Sequence, residues 1–335
     1  MPNIPNISVI IPSNHGHHEL QKIVHAVYCQ TIKPFEILII DSSIEAGICP
    51  EGITKLCADG GIKLIYSYHQ LALPGDARNI GLGMANGDLI GLIDVQTIPR
   101  PFWLEASVNL LACHDIDGVW GATYFNAETK FEMLVRDCFF GVLPRKTLPG
   151  SVFRRKVFGK SGEFIDWVRA GEDTEWMLRL EQLKVSVVNP SSALIEYVGL
   201  VGLDLKGLIR KWFRNYTASR ELPHFFPQKM LMWLTLYPLL VLIAFNWNYL
   251  VADWSMDSPY YFSHVTKMAT IVPPLVYFFV RGILLPKYRG VGMWRLLPFR
   301  FVMIILICML ADVVKLLVFS VPQRPLVAIA RALAT

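Results

Sequence analysis

Four polar clusters in this chain could carry chemistry. Asp94-Val95-Gln96 sets two oxygen-bearing side chains two residues apart. On an extended segment such residues point to the same side, so both oxygens can face one cation. Mg2+ or Mn2+ takes hard oxygen ligands of this kind and shares them with phosphates. The structural alternative is a strand-end Asp without a metal. Glu172-Asp173 opens a helix-like run, 172–183. There the carboxylates meet free backbone amides and the positive end of the helix dipole. Capping alone would account for one such carboxylate. Asp41-Ser42-Ser43 and Pro12-Ser13 are the remaining clusters. An Asp in such a turn commonly bonds its own backbone.

The elements around these clusters alternate. Strand-like runs occupy 7–11, 36–41, 62–66, 89–94 and 118–123, with helix-like runs at 18–29, 75–86 and 101–113. This alternation predicts parallel βαβ units with right-handed crossovers. Ligands in such sheets bind beyond the carboxyl ends of the strands, where three of the clusters fall. No G-x-G-x-x-G follows the first strand and no G-x-x-x-x-G-K-[ST] occurs, which argues against a dinucleotide enzyme and a P-loop ATPase. Gly81-Leu82-Gly83 reads as a packing feature.

Of 335 residues, 53% are hydrophobic and only 18% charged, and the net charge is +5. Residues 1–228 carry a net −2, whereas 229–335 hold ten basic and three acidic side chains. A basic excess confined to the apolar third points to a membrane anchor and away from nucleic acid. Apolar stretches at 230–251, 265–285 and 301–321 each approach the roughly 20 residues that span a bilayer. Pro273-Pro274 is expected to kink or break the second. Arg281, Lys287, Arg289, Arg295 and Arg300 follow the second span, against Asp253 and Asp257 after the first. The positive-inside rule places the basic loop and the front domain in the cytosol, with Arg324 and Arg331 arguing the other way. Asp312 and Lys315 share a helical face in the third span. They are expected to neutralise each other or to meet a lipid-linked polar head.

Ahead of the first span, Leu205, Leu208, Ile209, Trp212, Phe213 and Tyr216 form a helical stripe opposite Lys206, Arg210, Lys211 and Arg214. The expectation is an amphipathic helix in the headgroup layer, the alternative a surface helix covering the domain's core. The expected organisation is a catalytic domain over 1–202, an interfacial helix and linker over 203–228, and an anchor over 229–335. Six cysteines form no C-x-x-C, and no signal peptide opens the chain, so a reduced cytosolic compartment is expected for the front domain.

Five segments carry a resemblance when taken in order. They are Ser8-Val9-Ile10-Ile11-Pro12, Glu36-Ile37-Leu38-Ile39-Ile40-Asp41-Ser42-Ser43, Ala77-Arg78-Asn79-Ile80-Gly81, Leu92-Ile93-Asp94-Val95-Gln96-Thr97 and Gly171-Glu172-Asp173-Thr174-Glu175-Trp176. Over about 7–185 the chain resembles membrane-anchored family-2 glycosyltransferases with the GT-A fold. The resemblance implies a Rossmann-like, mostly parallel sheet and inverting transfer of one sugar from a nucleotide-diphosphate donor. It implies Mg2+ or Mn2+ at Asp94 and Gln96, with Gln96 standing where the family has a second Asp. Pro12, Asp41, Ser43, Arg78, Asn79 and Asp94 become donor-binding candidates, Asp173 the general base and Glu172 its partner or an acceptor contact. Gly150, Trp212, Arg210 and Arg214 fall on the acceptor or membrane side. The implied acceptor is lipid-linked or a glycan at the cytosolic face of the inner (plasma) membrane, for envelope or extracellular polysaccharide assembly. Processive relatives carry Q-x-x-R-W, which here reads Leu208-Ile209-Arg210-Lys211-Trp212, so single-sugar addition is expected. The rivals are transfer to bare polyprenyl phosphate and a non-catalytic nucleotide-sugar-binding membrane scaffold, the latter motivated by Ser42 and Gln96.

Overall fold

The computed structural model describes residues 5–14, 17–43, 47–222 and 228–320. Arg324, Arg331 and the linker at 223–227 lie outside the described residues. The strands are β1 (Ile7–Ser13), β2 (Glu36–Asp41), β3 (Lys63–Tyr68), β4 (Leu89–Leu92), β5 (Thr97–Pro99), β6 (Gly118–Phe125), β7 (Arg145–Arg154), β8 (Val187–Val188) and β9 (Ile195–Tyr197). The helices of the front part are α1 (His17–Tyr28), α2 (Glu51–Asp59), α3 (Pro74–Met84), α4 (Trp103–Cys113), α5 (Lys130–Phe139), α6 (Lys156–Ser161) and α7 (Glu172–Gln182). Then follow α8 (Leu205–Ser219), α9 (Gln228–Leu250), α10 (Val265–Phe279), a π turn at Val280–Leu284, α11 (Leu285–Tyr288), α12 (Met293–Leu296) and α13 (Arg300–Ser320).

One sheet runs β3-β2-β1-β4-β7-β6-β9-β5, with β8 on β6. β1 to β4 are parallel, but β7 is antiparallel to both β4 and β6, and β5 to β9. The expected mostly parallel sheet is therefore mixed. The reason is β7, which turns back after α5 and inserts between β4 and β6. Pro149-Gly150 interrupts its apolar run and hides it from pattern reading. Gly150 takes φ +85° there, and a Cβ would lie 2.1 Å from Ile195 Cγ1.

Alternation on the buried strands divides the core. Val9, Ile11, Ile37 and Ile39 pack with Ile23, Val27 and Trp103, whereas Ile10, Leu38, Ile90 and Leu92 pack with Phe153, Trp176 and Leu180. Both faces are covered, as parallel strands require. Trp103 and Trp120 are buried core residues.

Glu36 at the start of β2 is fully buried. Its carboxylate accepts from Ser8 Oγ (2.7 Å), Asn86 N (2.5 Å) and Asn86 Nδ2 (3.3 Å), with Lys63 Nζ at 3.5 Å. Burial pushes the carboxyl up, but the Ser8 and Asn86 bonds and Lys63 outweigh it and hold it below its ordinary 4.5. Below that value the unfolded chain binds the proton more readily, so this contribution is present at neutral pH and lost as pH falls through the folded value. Glu36→Gln is expected to cost about 2 kcal/mol at neutral pH. It should also flatten the acid limb of the urea-unfolding midpoint against pH.

A third core joins α5, α8 and α13. Leu134, Leu208, Trp212, Ile304, Ala311 and Val314 are buried together, and the Trp212 ring meets Phe139 edge-on at 5.4 Å. The apolar stripe of α8 thus faces protein, the surface-helix alternative, and the headgroup-layer expectation is corrected. Asp204 caps this helix by accepting from Gly207 N at 2.7 Å. Asp137, fully buried on α5, ties the helices together through Arg300 (2.8 Å), Arg295 (3.0 Å) and Arg136 (3.5 Å). Arg295 and Arg300, two of the basic residues that follow the expected second span, are therefore ion-paired.

Asp312 is not paired with Lys315. It accepts from Arg281 Nη2 at 2.6 Å and Tyr277 Oη at 2.7 Å, and Lys315 Nζ lies 5.8 Å from the Tyr216 ring centroid. α10 runs unbroken through Pro273-Pro274 before the π turn. By length and composition, two helices, Lys267–Tyr288 and Arg300–Ser320, qualify as membrane spans among the described residues. The expected first span coincides with α9.

Candidate active site

A cleft of about 460 Å3 opens beyond the carboxyl ends of β1 and β4. Pro12 and Ser13 end β1 on its floor, and Asp94, Val95 and Gln96 line it just after β4. Thr97 fixes that turn, receiving the Asp94 N–H at 3.1 Å and donating its hydroxyl to the Asp94 carbonyl at 2.5 Å. The N-termini of α3 and α7 and one face of α8 complete the lining.

Arg78 is the joint of the site. Only 3% exposed, it donates Nη2 to Asp94 Oδ1 and Nη1 to Glu172 Oε1, each at 2.8 Å. The strand-end acid and the α7 acids therefore share one cleft. Gly171 (φ +97°) turns the chain into α7, a conformation that favours glycine. Glu172 is buried, and its Oε2 has no partner among the described residues. Burial pushes its carboxyl up, Arg78 pulls it back and Asp173 adds to the rise, leaving it above its ordinary 4.5. Asp173 is half-buried, and its Oδ1 accepts from Thr174 N (2.7 Å) and Thr174 Oγ1 (3.2 Å). Ser13 Oγ is a second buried orphan in the cleft.

Several expected site residues are engaged elsewhere. Arg78 lines the cleft, but its guanidinium is committed to two carboxylates rather than to a base or phosphate. Asn79 clips Phe164, donating to its carbonyl and accepting from its N–H, both at 2.9 Å. Asp41 accepts from Ser43 N (3.0 Å), Ser43 Oγ (3.0 Å) and Tyr66 Oη (2.5 Å), which is the turn alternative; Ser42, not Ser43, lines the cleft. Gly150 packs under Ile195 and its carbonyl accepts Trp103 Nε1 at 2.7 Å. Trp212 belongs to the third core and Arg210 is exposed outside the lining, whereas Arg214 lines the cleft.

Sequence reasoning missed Arg169 and Tyr197, and placed Lys211 on the basic face of α8 and as a departure from a motif, without a site role. Arg169 precedes the acidic pair by three positions, a signal that was available. Tyr197 gave none, because β9 is three residues long. Gln96 Oε1 accepts from Tyr197 Oη at 3.1 Å, and Tyr197 Oη accepts from Lys211 Nζ at 2.9 Å. Burial and the adjacent Arg214 cation draw the Arg169 guanidinium down.

Residues 8–166 match the family described as Glycosyl transferase family 2. The chain is 25% identical over 242 residues to Glycosyltransferase AglE of Haloferax volcanii, covering 65% of this chain and 78% of that protein. It is 24% identical over 232 residues to the Pre-mycofactocin glycosyltransferase of Mycobacterium tuberculosis, covering 63% of this chain but 45% of that one. Among solved structures, a mannosyltransferase from Pyrobaculum calidifontis in complex with GDP-Man and Mn2+ superposes with a TM-score of 0.51. It is 16% identical and the match covers 94% of this chain and 88% of that one. The fold is GT-A-like, α/β with a mixed sheet. Over residues 8–166 the chain is thus similar to the family-2 glycosyltransferases, and the relatives it matches are glycosyltransferases.

Proposed function

We propose that the protein is a membrane-anchored inverting transferase that moves one sugar from a nucleotide-diphosphate donor to a lipid-linked acceptor at the cytosolic face of the inner membrane, in envelope or extracellular polysaccharide assembly. The observation that carries this reading is the pair of hydrogen bonds from Arg78 to Asp94 and Glu172, which holds Asp94 and the α7 acids on one cleft. The donor lies along the strand ends, with the nucleoside by Pro12, Ser13 and Ser42 and the diphosphate by Asp94. Asp173 takes the proton from the acceptor hydroxyl as that oxygen attacks the anomeric carbon. Glu172, with one oxygen on Arg78 and one free, orients the acceptor.

Asp94 Oδ2 has no partner among the described residues, and its side chain is 38% exposed. One such carboxylate with substrate phosphates is a donor set that suits Mg2+ or Mn2+. Among the described residues no three His, Cys, Asp or Glu side chains gather to hold an ion alone. Bound there, the ion would act as a Lewis acid on the leaving diphosphate.

The membrane reading rests on outward apolar faces. Ile271, Leu275 and Phe279 on α10 and Met303, Leu306 and Leu317 on α13 are exposed. Contiguous apolar surface of this extent marks contact with lipid or another protein. We take 1–202 as the catalytic unit, 203–228 as its roof and linker, and 229–335 as the anchor. A lipid acceptor would then approach along the helices that close the cleft.

The test is full-length protein in detergent, a panel of nucleotide sugars, and lipid extract as acceptor. Sugar is expected to pass to an organic-soluble product. Donor hydrolysis with transfer only to water-soluble glycans would reject the lipid acceptor while leaving the transferase intact.

A further inference from the structure

We propose that Gln96 is not a metal ligand in this chain but a strut that aims a cation, Lys211, at the donor diphosphate. The proposal rests on the reading that the donor lies in this cleft.

The hydrogen-bond chain has a direction. An ammonium only donates, so Tyr197 Oη accepts from Lys211 and has its single proton left for Gln96 Oε1. One of the two lone pairs on the amide oxygen is therefore already taken, and the oxygen is aimed at Tyr197. Gly199 seals the arrangement, because a Cβ there would lie 2.4 Å from Tyr197 Oη and 2.5 Å from Gln96 Oε1. Freeing Gln96 for an ion would break the chain and release Lys211. All three side chains line the cleft.

The charges agree with the geometry. An Asp at this position would bring a negative charge to bind a metal, whereas the amide brings none. Three cations, Arg169, Lys211 and Arg214, stand on the same cleft, and none has a carboxylate ion-pair partner among the described residues. Nearby like charges without counterions are costly, and a diphosphate supplies what they lack. Asp94 is left as the only motif side chain for a divalent ion. Part of the electrostatic work on the leaving group is then done by the protein itself. Gln96 and Tyr197 are positioning residues; Lys211 touches the substrate.

Binding, not turnover, tests this. UDP and GDP would be titrated by calorimetry into the full-length detergent-solubilised protein, once with EDTA and once with Mn2+. The better-bound nucleotide is expected to lose no more than about ten-fold in affinity in EDTA. Lys211→Met should weaken metal-free binding by about ten-fold or more, the scale of one charge-assisted hydrogen bond. Lys211→Arg should restore most of it. Tyr197→Phe, which keeps the ring, should shift binding in the same direction. Gln96→Asp should make binding depend steeply on Mn2+, since its carboxylate both neutralises Lys211 and adds a ligand. Binding abolished by EDTA in the wild type, or Lys211→Met and Tyr197→Phe both indistinguishable from it, overturns the proposal while leaving the donor site in place. No binding of either nucleotide under any condition overturns the donor site as well.

Discussion

Asp173→Asn is expected to lower the transfer rate by about 10³-fold while leaving nucleotide binding within about three-fold of wild type. The substitution is close to isosteric. The amide that replaces the carboxylate keeps an oxygen for the Thr174 N–H and hydroxyl that hold Asp173 Oδ1 at 2.7 and 3.2 Å, so the first turn of α7 survives. What it loses is the ability to take a proton. If the acceptor is an alcohol, its oxygen must shed that proton as it attacks, and nothing else on α7 replaces the base. Glu172 is the neighbouring carboxylate, but it is buried, bonded to Arg78 and held above its ordinary range by burial. Transfer assays with saturating donor and single-turnover quenching would separate the chemical step from binding. A rate near wild type would exclude Asp173 as the base. It would favour an acceptor that arrives already ionised, such as a polyprenyl phosphate. Asp173 carries no ion pair to Arg78, so this variant reads proton transfer with little structural disturbance.

Why some of this was legible in the sequence, and some not, follows from the range of the interactions. The parallel strands β1, β2 and β4 are runs buried on both faces, so residues such as Ile37, Leu38, Ile39 and Ile40 announce themselves without tertiary information. Asp94 and Glu172-Asp173 follow the same logic, because a strand end and a helix start are local features. β7 was not legible. Its register depends on partners about 60 residues away in β4, and Pro149-Gly150 breaks the local pattern. The α8 stripe was read correctly as amphipathic and assigned to the wrong partner. A helical stripe reports that an apolar face is buried, never what buries it; here α5 and α13 do. Arg78, Asn79 and Asp41 have protein partners that the sequence did not show, for one shared reason. Each is a polar side chain with a plausible ligand and an equally suitable protein partner, and only coordinates reveal which is taken. Asp312 and Lys315 illustrate the same limit within α13, where spacing suggested a pair and Arg281 from the preceding helix segment took the acid instead.

Arg78→Met should lose both activity and stability, the latter by about 3–5 kcal/mol, because it removes one partner from two buried or half-buried carboxylates at once. Glu172 would suffer most. Its Oε1 bond to Arg78 is the only one it makes to another side chain among the described residues, and its Oε2 is already an orphan. Without the guanidinium, burial and the Asp173 charge act on the Glu172 carboxyl against only its backbone hydrogen bond and the more weakly coupled Arg169, so its rise above 4.5 grows. Between 4.5 and that raised value, the native state holds a proton that the unfolded chain has released. Stability therefore falls as pH rises through the window, and more steeply in the variant than in the wild type. Urea unfolding at pH 5 and pH 8 would read this directly. Arg78→Lys offers one ammonium where the guanidinium forks to two acids, and should recover only part of the loss. The decisive comparison is the double variant Arg78→Met with Glu172→Gln. Removing the stranded charge should return much of the stability and flatten the pH dependence, yet leave transfer impaired, since Asp94 is still unheld. If the double variant stays as unstable as Arg78→Met alone, the charge argument fails. The contribution of Arg78 would then lie in packing, with its guanidinium carbon 5.7 Å from the Phe164 ring centroid. Either result separates what holds the two halves of the cleft together from what performs the transfer.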